Sequence, residues 1–78
     1  MQGYIALAVV VPRHGLGRPA EVIARARTLA ALARRVQVLS PTARLALFDR
    51  EPVVLCDGRP VRGTAREPGR TIYLCGPA

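Results

Sequence analysis

The sequence contains no lysine and only five acidic residues, so its positive charge rests on arginine. Twelve arginines give the 78-residue chain a formal net charge of +7. A guanidinium group presents a planar fork of donors that suits phosphate and carboxylate groups. The charge balance therefore predicts a polyanionic partner, either an acidic protein surface or nucleic acid.

Aromatic residues are also scarce, because only Tyr4, Phe48 and Tyr73 are present. Half of the residues are nevertheless hydrophobic, so the core must consist mainly of aliphatic side chains. The length predicts a single small domain spanning residues 1–78. Such a domain buries a modest share of its surface and gains stability from association. A homo-oligomer is one open expectation.

Long apolar runs and a disulfide framework are both lacking. The apolar run Tyr4–Val11 is too short to span a membrane and lacks the basic leader of a signal peptide. Two cysteines are too few for a disulfide scaffold. We therefore expect a cytoplasmic protein and disfavour a membrane as its partner.

The apolar periodicity predicts an early strand followed by a helix. Residues 5–11 are apolar and rich in β-branched side chains, which indicates a strand buried on both faces. A helix is predicted over 19–35, since Pro19 suits its first position and Glu21 its first turn. Residues 36–39 resemble a short strand, and residues 43–48 fit either a strand or a helical turn.

Two turn signals organise the C-terminal third. Asp57-Gly58 and Pro68-Gly69 separate alternating runs and predict an antiparallel meander over 53–56, 59–67 and 70–75. The predicted fold class is α+β, with one helix packed on a mainly antiparallel sheet in the order β-α-β-(β)-β-β-β.

The second hairpin is the main candidate binding surface. A two-residue loop at Pro68-Gly69 places Ala65 opposite Ile72, and the face they share is apolar. The opposite face combines arginines, threonines and a tyrosine that could stack on a base. The residues expected to contact a partner or nucleic acid are Arg59, Arg62, Thr64, Arg66, Arg70 and Tyr73.

The same register bears on the two cysteines. It places Arg62 opposite Cys75, so Cys75 falls on the arginine face. Extending the alternation through Asp57-Gly58 places Cys56 on the apolar face. We therefore expect the two thiols on opposite sides of the sheet, where they cannot form a disulfide.

A glycine-containing loop before the predicted helix is a second candidate site. His14, Gly15, Gly17 and Arg18 would offer backbone N–H groups and positive charge to an anion. Gly15-Leu16 and Arg18-Pro19 resemble the active loop of the histidine phosphocarrier protein of the sugar phosphotransferase system. Gly17 and a missing residue before Arg18 depart from that loop. These departures favour a strand-to-helix joint with some affinity for anions.

Neither a catalytic constellation nor a metal-ligand spacing is recognisable. The five acidic residues lie at predicted turns or at the helix start. Cys56, Cys75 and His14 lack the spacing of a zinc site, so we expect no metal, no cofactor and no enzyme activity.

Two functions remain open. The first is a protein-interaction module, such as an inhibitor or accessory subunit of the kind that phages and mobile elements encode. The small size, the apolar richness and the lack of a catalytic set favour it. The second is a nucleic-acid-binding protein that contacts phosphates through the arginine-rich hairpin.

Overall fold

One helix packs on an antiparallel sheet, which confirms the predicted α+β class. The computed structural model describes residues 3–10, 21–49, 55–56 and 58–77. The elements are β1 (Tyr4–Val10), β2 (Glu21–Ala26), α1 (Leu29–Leu39), β3 (Arg44–Leu47), β4 (Leu55–Cys56), β5 (Arg59–Glu67) and β6 (Arg70–Cys75). Among these described residues, one helix in the first half is followed by strands in the second half, which is consistent with the predicted order.

Strand β1 lies inside the sheet, as its apolar run predicts. The strand order is β2-β1-β6-β5-β3, and β4 pairs with β5. All of these pairings are antiparallel. Residues 5–8 are buried on both faces, which explains the absence of polar alternation in this strand.

The helix begins ten residues later than the sequence pattern predicts. Residues 21–26, expected to be its first turns, form β2 and pair with β1. The helix instead starts after Thr28, whose Oγ1 accepts a hydrogen bond from the Ala31 N–H at 3.1 Å. Val22 and Ile23 are β-branched and fit a strand as well as a helix. Pairing with β1 decides between these two local preferences.

The predicted strand over 36–39 is also wrong, because these residues form the last turn of α1. Val36 is fully buried and continues the helical stripe of Leu32 and Ala33 against the sheet. Residues 44–47 form strand β3, which resolves the alternative left open for 43–48. The helix covers one sheet face, where it packs on small side chains that include Ala6 and Ala8.

The C-terminal meander agrees with its prediction over the described residues. Gly58 and Gly69 adopt φ values of 75° and 79°, a left-handed conformation that glycine accepts without strain. Residues 63–67 pair with 70–74 in the predicted register. The dipeptide turn signals therefore set both the position and the pairing of the hairpin.

An irregularity at Arg62 changes which side of the sheet the preceding residues of β5 face. Val61, instead of Arg62, lies opposite Cys75, so Arg62 is the extra residue of a β-bulge. The one-residue shift turns Val61 and Cys75 to the same side of the sheet. They form a second buried cluster with Ile5 and Leu7.

The bulge also corrects the prediction for the cysteines. Cys56 packs against the cluster that contains Cys75, so the two residues share one side of the sheet instead of facing opposite sides. They are not joined by a disulfide. Cys56 pairs with Arg59 and Cys75 pairs with Val61 on opposite edges of β5, so a whole strand separates them.

Gly63 allows a close approach of β3 to β5. A Cβ at this position would lie 2.7 Å from the Ala46 carbonyl oxygen and 2.9 Å from Leu47 Cδ2. We expect Gly63→Ala to lower the free energy of unfolding by about 2 kcal/mol, because backbone must move to relieve the overlap. Urea denaturation followed by circular dichroism measures this change.

Gly76→Ala is the matched control. Its added Cβ would meet only side-chain atoms, the nearest at 3.5 Å. Equal stability loss in the two variants would contradict the proposed close approach.

Candidate binding surfaces

The predicted hairpin surface is partly buried. Thr64 is only 6% exposed and Tyr73 is half-buried against the second cluster. Their side chains lie on the sheet face opposite the helix, as predicted, but Thr64 does not present an open hydroxyl to solvent. The polar and aromatic groups of this face therefore contribute mainly to packing in this structure.

Arg70 already has partners within the fold. Its Nε donates to Glu67 Oε1 at 2.5 Å, and its Nη2 donates to Ser40 Oγ at 2.8 Å. Ser40 is buried and caps the C-terminal end of α1. Arg70 thus connects the hairpin to the end of the helix, and Glu67 neutralises its charge.

Arg59 also holds strands together. Its Nη1 lies 3.4 Å from the carbonyl oxygens of both Gly3 and Gly76, so it donates to the start of β1 and the end of β6. These long contacts join residues that are far apart in the chain. Arg59 is half-buried and lines a cavity.

Arg66 and Arg62 differ in their surroundings. Arg66 is exposed and lies directly opposite Arg44, which is exposed on β3. Arg62 is half-buried at the bulge, where its carbonyl accepts a hydrogen bond from the Phe48 N–H at 2.9 Å. Sequence reasoning missed Arg44 because the pattern over 43–48 did not distinguish a strand from a helical turn.

A second surface lies between α1 and β2. A groove of about 400 Å³ is lined by side chains from both elements, and its walls are mainly apolar. They are Ile23, Ala24, Arg34, Arg35, Val38 and Leu39. The sequence contained the signal, an apolar VQVL segment directly after two arginines, but the strand prediction for 36–39 obscured the helical face that they share.

The glycine-containing loop is not part of these surfaces. His14, Gly15, Gly17 and Arg18 lie outside the described residues, so their proposed contact with an anion stays a prediction. Within the described ranges, His, Cys, Asp and Glu side chains do not gather in groups of three or more. In the same part of the chain, α1 is too short and too polar to cross a membrane.

Comparison with known proteins identifies no relative: no family model matches the chain, and no curated protein or solved structure is significantly similar to it.

The different surroundings of Arg70 and Arg66 lead to a prediction. We expect Arg70→Ala to lower the free energy of unfolding by about 1 kcal/mol, because Glu67 and Ser40 lose a donor. Arg66→Ala removes the same charge from an exposed site and should change stability by less than about 0.5 kcal/mol. Urea denaturation at pH 7 measures the free energy of unfolding of both variants. An equal loss in the two would contradict a stabilising role for the Arg70 contacts.

Proposed function

We propose that this chain is a non-enzymatic interaction protein, a small inhibitor or accessory subunit, that binds an acidic segment of another protein at the α1–β2 groove. The observation that carries the proposal is the exposure of Val38 and Leu39, at 79% and 55%. They are the most exposed large hydrophobic residues in the described part of the chain. Exposed apolar side chains that line a groove are typical of interaction sites.

The composition of the groove supports a protein partner. Arg34 and Arg35 border its apolar walls, and protein interfaces are enriched in arginine and apolar contacts. Strand β2 forms one wall and is the end strand of the described sheet. An end strand offers backbone donors and acceptors to an added strand, so an extended segment suits this site.

The charge of the groove favours an acidic occupant. Arg34 and Arg35 take part in no salt bridge among the described residues, where Arg70–Glu67 is the one pair. A second copy of this chain would bring the same arginines against them, whereas carboxylates would neutralise them. An acidic protein segment is therefore a better occupant than a homo-oligomer partner at this groove.

We also propose that the protein acts in the cytoplasm. Its two cysteines are not joined by a disulfide. Cytoplasmic proteins keep their cysteines reduced as a rule.

The proposal is tested with a fluorescent twelve-residue peptide of alternating valine and glutamate. We expect it to bind the native chain, and the Val38→Ser/Leu39→Ser variant to bind at least tenfold more weakly because the apolar contact is lost. Fluorescence anisotropy measures both affinities.

Leu47→Ser is the matched control, since Leu47 is 48% exposed on β3 at the other edge of the sheet. It should bind the peptide like the native chain. The proposal fails if the acidic peptide does not bind, if a valine–lysine peptide binds as well, or if all three proteins bind equally.

A second candidate function is nucleic-acid binding through the hairpin and β3. The specific observation is the pair Arg44 and Arg66, which are directly opposed, exposed and without a salt-bridge partner among the described residues. Like charges opposite each other weaken a sheet unless an anion joins them. Two adjacent guanidinium groups suit neighbouring phosphates of one strand.

This candidate is tested by binding a labelled single-stranded oligonucleotide at several salt concentrations. Each lost phosphate contact should reduce the slope of log affinity against log salt by about 0.7, so Arg44→Gln/Arg66→Gln should reduce it by about 1.4. Gln37→Glu/Thr42→Glu lowers the net charge by the same amount at exposed positions elsewhere and should leave the slope near the native value. Equal slopes for the two variants would rule out a localised contact at β3 and the hairpin.

A further inference from the structure

Four arginines from four parts of the chain meet at one end of the sheet. They line an open cavity of about 730 Å³. Arg25 comes from β2, Arg27 from the turn before α1, Arg35 from α1 and Arg59 from β5. The antiparallel topology produces this convergence, because β1 begins where β2 and β6 end.

Local contacts position these arginines. Arg25 pairs with Ile5 on β1, and Arg59 donates to the carbonyl oxygens of Gly3 and Gly76. Ala31 and Arg35 are one helical turn apart on α1, and both line the cavity.

The positive charge at the cavity is uncompensated within the described residues. None of the four arginines forms a salt bridge there, and no acidic side chain lines the cavity. The first turn of α1 borders the cavity and also lacks an acidic residue. The positive end of the helix dipole therefore adds to the guanidinium charges. Such a concentration of positive potential attracts a multiply charged anion.

We propose that this cavity binds the phosphate chain of a nucleoside di- or triphosphate. Guanidinium groups bind phosphate oxygens in a bidentate manner, and several of them match a ligand with several adjacent phosphates. The half-buried ring of Tyr4 also lines the cavity and offers a surface on which a base stacks. The volume lies within the range of small-molecule sites. This small-ligand site goes beyond the proposed binding of a protein segment.

The test is isothermal titration calorimetry of the whole chain with ATP, without magnesium and at low salt. We expect ATP to bind, Arg25→Gln/Arg27→Gln to weaken binding at least tenfold, and Gln37→Glu/Thr42→Glu to change it less than twofold. Both variants lower the net charge by two, and all four of these residues are exposed, so both should remain folded. Absence of ATP binding, or equal weakening in the two variants, would overturn the proposal.

A second arm distinguishes a nucleotide from a bare polyphosphate. Inorganic tripolyphosphate should bind the native chain more weakly than ATP, because it cannot stack on Tyr4. Tripolyphosphate binding as tight as that of ATP would overturn the assignment to a nucleotide. Arg35 lines both the cavity and the α1–β2 groove. Arg25 and Arg27 line only the cavity, and Val38 and Leu39 line only the groove, so the two sets of variants test the two sites separately.

Discussion

The structure depends on the placement of β1 between β2 and β6. Its residues Ile5 and Leu7 belong to one buried cluster, and Ala6 and Ala8 belong to the other. One short strand therefore supplies both sides of the core, and it does so with no polar side chain in its centre. The alanines face the helix, so α1 can approach the sheet closely. Without β1, β2 would lose its neighbour in the described sheet and α1 would lose part of its packing surface.

The position of β1 also brings arginines from several elements together at one end of the sheet. β1 begins beside the last residues of β2 and β6, and Arg59 reaches the backbone of both β1 and the segment after β6. The arginines of this small domain thus fall into two groups, those that hold the fold together and those that stay exposed. Arg59 and Arg70 join distant parts of the chain, whereas Arg25, Arg27, Arg34 and Arg35 remain exposed beside α1 and β2. Net charge alone could not distinguish these two groups.

The parts of the fold that were predicted correctly depend on short-range chemistry. Gly58 and Gly69 mark turns whose backbone conformation favours glycine, and the pairing of 63–67 with 70–74 follows from the second turn. The start of α1 was mispredicted because Val22 and Ile23 also fit a helical stripe, and only pairing with β1 selects the strand. The bulge at Arg62 has no local signal, yet it moves Val61 to the face that Cys75 and Tyr73 share. Strand pairing also places Arg44 opposite Arg66, a neighbour that the sequence did not indicate, and binding by the predicted hairpin residues stays a prediction.

An α+β fold does not by itself determine function, which here depends on where the accessible groups lie. We propose above all that an acidic protein segment binds at the α1–β2 groove. The most direct measurement is a titration of the ¹⁵N-labelled chain with the valine–glutamate peptide, followed by two-dimensional NMR. We expect the largest amide shift changes at Ile23, Ala24, Val38 and Leu39. Largest changes across residues 62–71, or no changes at all, would contradict it.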